Sequence, residues 1–260
     1  MLRYDVSAFN TSTASANKIH DDAVARQLGF RGGLVPGVDV YAYLAHLPVQ
    51  RWGREWLCAG TLRARFAKPV YDGDTVSITM TDDGTLELRD PGGEQCATGG
   101  ATLDAPAPVA VAVEGAGLLP APIRAATADL LAPGTVLASL ELGFHADLAP
   151  AYLADVRETL PIFTEERLAH PGWLLRQANY VLTANVSLGP WIHVESWVRN
   201  HRVVADGARL EVRAVVRDEW ERKGHRFVLL DVSIHADGEA ACSIEHTAIW
   251  QTRAADAIQE

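Results

Sequence analysis

The chain switches between two hydrophobic patterns, and the switch happens twice in the same order. After Pro36-Gly37 the segment VPGVDVYAYLAHL is apolar over a length that predicts a central helix, with the proline placed where a helix begins. Four runs with strand-like patterning follow, CAGTLRARF, TVSITM, TLELRD and CATGGATLD, separated by the turn sequences DGD, DDG and PGG. The second half repeats the plan. Pro171-Gly172 opens HPGWLLRQANYVL, and WIHVESWVR, RLEVRAVVRDEW, HRFVLLDVSIHA and ACSIEHTAIWQ predict four strands joined at VADGA, ERKG and DGE. A long helix followed by an antiparallel sheet, twice over, predicts two α+β units packed as a pair.

Matching spacings support a duplication. Pro36-Gly37 recurs as Pro171-Gly172, and Val70-Tyr71-Asp72-Gly73 recurs as Val204-Ala205-Asp206-Gly207, in the same order and at almost the same offset along the chain. Between the halves, DAPAPVAVAVEGAGLLPAPI carries four prolines, a density that blocks both helix and central strand. The expected organisation is a first unit over 1–104, a Pro/Ala-rich linker over 105–123 lying along the surface, and a second unit over 124–260.

Composition narrows the function. With 260 residues, 48% of them hydrophobic and 22% charged, the chain has the mix of a soluble globular protein. Its 23 Lys and Arg against 33 Asp and Glu leave a formal charge of −10 and no basic run, so nucleic acid is excluded as an expected partner. MLRYDVSAFN lacks the apolar core of a signal peptide, and no apolar stretch approaches the roughly 20 residues of a membrane span, so a cytoplasmic location is expected and no membrane partner. Cys58, Cys96 and Cys242 are isolated and odd in number, which predicts free, buried thiols. No nucleotide-phosphate loop, HExxH or clustered metal ligands occur, so neither metal nor redox cofactor is expected.

Several ordered motifs carry a family resemblance. Asn17, His20 and Asp22, a loop ending at Gly37, the central helix, then Pro69-Val70 with Gly73-Asp74 together resemble the MaoC-like (R)-specific enoyl-thioester hydratases and dehydratases, over roughly Leu2 to Asp104. The resemblance implies a double hotdog fold, in which a curved antiparallel sheet wraps one long helix and two such units join edge to edge. The chain would be an intrachain pseudo-dimer, with a homodimer of such chains left open. It further implies a lyase acting on an acyl thioester of coenzyme A or a carrier protein. SLGPWIHVES in the second half is similar to a strand of double hotdog acyl-CoA thioesterases, which supplies an alternative activity.

The chemistry of the first motif is readable physically. Hydration of an enoyl thioester needs a proton acceptor for water, a proton donor for the α-carbon and hydrogen-bond donors for the thioester oxygen. The helix end at Pro36-Gly37 offers free N–H groups and a dipole, and in the family this glycine supplies the oxyanion donor, so Gly37 is the candidate. His20, upstream of that glycine at a spacing close to the family's, is the acid/base candidate, against the plainer possibility of a surface or capping residue beside Asp21 and Asp22. Five positions before His20, where the family has its catalytic aspartate, this chain has Ser15, and Lys18 replaces a proline. A serine hydroxyl is not a general base without an activating neighbour. Asp21, Asp22 or Asp39 could fill the gap, or His170, Asn179 or His193 across the seam between units. Alternatively His20 alone serves a reaction needing one proton shuttle, or the chain binds an acyl thioester without catalysis. Asn179, inside the second helix, is expected to be hydrogen-bonded and to fix that helix. Trp173, Trp191, Trp197 and Trp220 are candidates for an acyl tunnel or for core.

Overall fold

The computed structural model describes residues 1–103, 115 and 117–253; most of the proline-rich segment 105–123 lies outside them. The first half contains strand β1 (Leu2–Ser7), a short helix α1 (Asp22–Gln27), the long helix α2 (Gly37–Ala59) and strands β2 (Thr61–Phe66), β3 (Thr75–Met80), β4 (Thr85–Arg89) and β5 (Gln95–Thr102). The second contains β6 (Arg124–Ala125), β7 (Val136–Gly143), the short helices α3 (Ala149–Asp155) and α4 (Ile162–Glu165), the long helix α5 (Pro171–Asn185), β8 (Val186–Ser187), and strands β9 (Ile192–Asn200), β10 (Arg209–Arg222), β11 (His225–Ala236) and β12 (Glu239–Gln251).

Ten strands form one antiparallel sheet in the order β1-β3-β4-β5-β2-β9-β12-β11-β10-β7. The eight strands expected from the alternating runs are all present. Outward from the central β2–β9 pair, the two sides repeat one connectivity: β2, β5, β4, β3, β1 against β9, β12, β11, β10, β7. β1 and β7 occupy the two free edges. Helix α2 runs to Ala59, so Cys58 and Ala59, expected in the first strand, belong to the helix, whose last turn is held by buried Trp56 and Leu57. No described helix is long and apolar enough to cross a membrane.

The repeated Val-x-Asp-Gly motif has a mechanical explanation. Asp72 accepts the Asn10 N–H at 2.8 Å, and at the duplicate position Asp206 accepts the Ala146 N–H at 2.8 Å. Gly73 and Gly207 follow with φ of 77° and 81°, a left-handed turn that favours glycine. The bridge Leu34–Tyr71 likewise recurs as Leu168–Ala205. In each unit the motif thus ties the loop before the long helix to the sheet.

The core lies between the concave sheet and the two long helices. Tyr41, Leu44 and Leu47 of α2 and Leu175, Ala178 and Leu182 of α5 are buried in one cluster with Leu62, Val76, Ile78, Met80, Leu88, Val212, Val232 and Ile234 of the sheet. Two polar links join the halves beneath the sheet. Arg176 on α5 donates to Asp39 on α2 at 2.7 and 3.1 Å, Thr11 donates to the same carboxylate at 2.7 Å, and the guanidinium lies over the Tyr152 ring. Burial raises the Asp39 carboxyl above its ordinary value, with Arg176 and Thr11 acting against it. The second link is Glu158, which meets His46 of α2 at 2.9 Å and His170, just before α5, at 3.2 Å, and accepts the Thr159 and Leu160 N–H groups. Burial opposes its ionisation, yet hydrogen bonds from His170 and His46 hold it well below the usual carboxylate range.

Removing one member of a buried pair strands the other charge, whereas replacing both with apolar groups does not. Asp39→Leu alone should lower the unfolding free energy by about 3–5 kcal/mol. Asp39→Leu combined with Arg176→Met should lose less than the single variant. Urea titration of the three proteins checks both statements.

Candidate active site

The site forms where the loop before α2 meets strand β9 of the other half. Asn17 caps a single 3-10 turn, Lys18–His20, and also reaches across the seam: its Nδ2 donates to the Trp191 carbonyl at 2.9 Å and its Oδ1 accepts the Trp191 N–H at 3.2 Å. His20 leaves this turn with Nδ1 at 2.7 Å from the Leu34 carbonyl. A carbonyl accepts only, so Nδ1 carries the proton and Nε2 is the basic nitrogen, with Asn17 Nδ2 at 3.4 Å. Burial holds the His20 pKa below the ordinary histidine value, with Leu34 and Asp39 acting the other way.

Gly37 is the first residue of α2, behind Pro36 at the cap. The Asp39 and Val40 N–H groups return to the Pro36 carbonyl, while the Gly37 N–H has no acceptor among the described residues. The imidazole of His193 packs directly on this glycine: a Cβ there would stand 2.7 Å from His193 Nδ1. Glycine is therefore required by close approach rather than by its backbone angles.

His193 reaches this place through a bulge. Along β9, Glu195 pairs with Thr247 and His193 with Ala248, so Val194 is an extra residue in the ladder. Regular alternation would put His193 and Ser196 on opposite faces; the bulge brings them to one. Ser196 Oγ lies 2.8 Å from His193 Nε2 and 3.0 Å from Nδ1 of His246, its cross-strand partner. Burial pushes both histidines down, His193 further through its proximity to His246, and His246 to about 3.

Two chambers meet at His20. The narrower, about 220 Å³, has apolar walls including Phe30, Leu34, Val40 and Phe66, with Gly37, Asn179 and His193 also facing it. The wider, about 560 Å³, runs past Ser15, Arg176, Tyr180 and Leu188. Asn17, His20, Pro36, Asn179 and Trp191 border both.

Other sequence candidates fall elsewhere. Ser15 borders the wider chamber, but its hydroxyl donates to the Asn17 carbonyl at 3.1 Å. Asp22 is exposed and borders neither chamber; it accepts the Gly33 N–H at 2.8 Å and pairs with Arg26, bracing the glycine loop. Asp21 caps α1 through the Ala23 and Val24 N–H groups. Asp39 is committed to Arg176. Asn179 corrects an expectation: its Oδ1 has no hydrogen-bond partner among the described residues, and the residue faces both chambers instead of tying the helix. Of the four candidate tryptophans, Trp191 lines the chambers, Trp173 packs edge-on against Phe144, Trp197 is exposed and Trp220 stacks on Phe227. Cys96 and Cys242 are buried, Cys58 half-buried, and all three are free.

The duplicate position is closed. At the start of α5 the Gly172 N–H donates to His170 Nδ1 at 3.0 Å, and a Cβ on Gly172 would meet the Tyr152 hydroxyl at 2.5 Å and Ala42 at 2.7 Å. Of the two repeated glycines, Gly37 borders a chamber and Gly172 is buried.

Neutral burial of histidines costs stability in acid. His193 and His246 take up a proton in the unfolded chain near pH 6.5 and resist it when folded, so stability should fall as pH drops from 6.5 to 5. Urea unfolding across that range should show the fall, and His246→Leu should flatten it by about 1.4 kcal/mol per pH unit near pH 5.

No family model matches this sequence, and no curated protein matches it. Solved structures do match along nearly its whole length. A MaoC-like dehydratase superposes with a TM-score of 0.61 at 13% identity, covering 96% of this chain and 98% of the other. A protein of Chloroflexus aurantiacus J-10-fl with a MaoC domain gives 0.61 at 12% identity, covering 96% and 93%. Rv0216 of Mycobacterium tuberculosis, described as having a double hotdog fold, gives 0.59 at 14% identity, covering 95% of both chains. At such identities the likeness is one of architecture, and on that basis the chain is a double hotdog protein, with the fold of the MaoC-like dehydratases.

Proposed function

We propose that this protein hydrates an enoyl thioester, or dehydrates the corresponding 3-hydroxyacyl thioester, with His20 as acid/base and the Gly37 N–H as oxyanion donor. The observation that carries the proposal is the open helix end at Gly37, facing the same chamber as a histidine whose Nε2 is held ready to accept a proton. The thioester oxygen takes the Gly37 N–H, where the helix dipole favours the negative charge that builds as the double bond is attacked.

One histidine suffices if the proton it removes is the proton it returns. As water oxygen bonds to the β-carbon, His20 Nε2 takes a water proton and the π electrons move toward the thioester oxygen. The imidazolium then gives that proton to the α-carbon and the thioester carbonyl re-forms. Water has supplied both the hydroxyl and the hydrogen, and no carboxylate is needed at Ser15. Dehydration is the reverse. Burial below the ordinary histidine pKa suits this cycle, since it keeps Nε2 free at neutral pH and makes the imidazolium a ready donor.

The narrower chamber fits the acyl part, its 220 Å³ lying below the roughly 300–1,000 Å³ of pockets for drug-sized ligands, so short or medium chains suit it. The wider chamber leads the thioester arm of coenzyme A or a carrier protein outward. Incubation with trans-2-enoyl-CoA esters of short and medium chain length should show loss of the conjugated enoyl absorbance. His20→Ala should lower kcat by about 100-fold or more. Release of free thiol from saturated acyl-CoA, with enoyl-CoA untouched, would replace the proposal by thioester hydrolysis.

The pH profile follows from the sign of the His20 shift. Its neutral form is the active base for hydration, and burial extends that form to lower pH. The acid limb of kcat/KM should therefore bend below about pH 6.5, with a plateau at neutral pH. Initial rates measured from pH 5 to 8 check it.

A further inference from the structure

Counted from the two Pro-Gly pairs, Arg176, Asn179 and Tyr180 of α5 stand where α2 has Tyr41, Leu44 and Ala45. The three residues of α2 are fully buried core. Their counterparts on α5 are half-buried or exposed, are spaced to share one face of the helix, and border the wider chamber. We propose that this face of α5 binds the thioester arm by its amide groups, with Arg176 Nη1 and Asn179 Nδ2 donating to the arm's carbonyl oxygens. The proposal rests on the thioester reading of the site. It gives the second half of the chain the task of recognising what carries the acyl group.

Both donors are unused. Arg176 reaches Asp39 through Nε at 3.1 Å and Nη2 at 2.7 Å, and Nη2 also meets Thr11 at 3.3 Å. Its Nη1 has no hydrogen-bond partner among the described residues, and the side chain is 17% exposed. Asn179 Oδ1 is buried without a partner, whereas Nδ2, which also has none, is not sealed off. This is the more favourable orientation of the amide, since a sealed N–H is worse tolerated than an under-satisfied oxygen. An α5 that served only as core would repeat the leucine of α2 at this position.

The charges select the ligand. Asp39 already balances Arg176, and among the described residues no other arginine or lysine lines the wider chamber. A carboxylate or phosphate drawn against Arg176 would leave an unbalanced negative charge in a half-buried space. A neutral carbonyl adds no charge, and a charged N–H donor binds it more strongly than a neutral donor does. The arm shared by coenzyme A and carrier proteins meets this requirement. Between its sulfur and its phosphate it is uncharged and carries two amides, each with one carbonyl and one N–H. Ser15 Oγ, also at the chamber, gives its proton to the Asn17 carbonyl and keeps its lone pairs for an arm N–H. A volume of about 560 Å³ accommodates such a chain.

Cutting the arm off the substrate separates this role from a merely structural one. trans-2-Hexenoyl-CoA carries both amides, and S-ethyl trans-2-hexenethioate carries neither. The ratio of their kcat/KM values should fall roughly 3–10-fold in Asn179→Leu, which copies α2. It should fall about tenfold in Arg176→Lys, which keeps a positive charge for Asp39 and serves if the leucine variant does not fold. A wild-type ratio in either folded variant would overturn the proposal, because a general defect slows both substrates alike. The same acyl group on a carrier protein has the same arm, and the better wild-type substrate of the two identifies the natural source. Where both are turned over they should lose by one factor; a loss confined to one would put the contact beyond the arm and overturn the proposal. Calorimetry with saturated hexanoyl-CoA, which cannot be hydrated, should show Kd raised in Asn179→Leu by a similar factor, and an unchanged Kd would also overturn it. Weakened binding in the variant, with no turnover of any enoyl-CoA by the wild type, would overturn the hydration step and leave the arm site supported. Failure of the wild type to bind hexanoyl-CoA would overturn both.

Discussion

The pairing of β2 with β9 is the constraint from which the rest of the molecule takes its geometry. Thr61 to Arg65 lie opposite Arg199 to Glu195, and this ladder joins two five-stranded halves into one sheet. Because the strands are antiparallel, the loop that carries His20 in one half faces the start of β9 in the other. The open end of α2 is thereby roofed by His193, a residue distant in sequence. A slip of one residue along the seam would turn His193 and its neighbours to the other face of the sheet. The seam is supported from beneath by Asp39–Arg176 and by Glu158 between His46 and His170, polar links that are costly to bury and have one good geometry.

Within that frame the polar groups around the chambers are marked by burial more than by free charge. The carboxylates near the chambers are occupied: Asp39 by Arg176, Asp22 by the Gly33 N–H and Arg26. The narrower chamber is bordered by the polar residues Asn17, His20, Asn179 and His193, by Gly37 and by Lys68, in otherwise largely apolar walls.

The eight inner strands and both long helices were legible because their patterns are long and their turns carry glycine and aspartate. The edge strands β1 and β7 were not read, although LRYDVS alternates apolar and polar residues and Pro133-Gly134 turns the chain before β7, because both precede the long helix of their unit and fall outside the repeated order of helix and then strands. Gly37 was legible from Pro-Gly, although what crowds it, a histidine from the other half, lies beyond any local pattern. His193 was named only as one of several groups across the seam, since strict alternation in WIHVESWVR separates it from Ser196 and the extra residue Val194 leaves no mark in the composition. Asn179 read as a helix amide that would find a partner, and only the tertiary packing shows its oxygen buried without one among the described residues. The proline-rich stretch between the halves lies mostly outside the described residues.

The capped end of α5 carries a further meaning. Two identical subunits must present identical surfaces, so a helix end left open in one is open in the other. Joined in one polypeptide, the copies are free to diverge, and here His170 has taken the amide that Gly37 leaves vacant in its own half. The second copy supplies a roof, His193 over Gly37, and a brace, Arg176 on Asp39. One chain then has one open helix end, and the near-symmetry of the sheet is not carried into the ends of its two long helices.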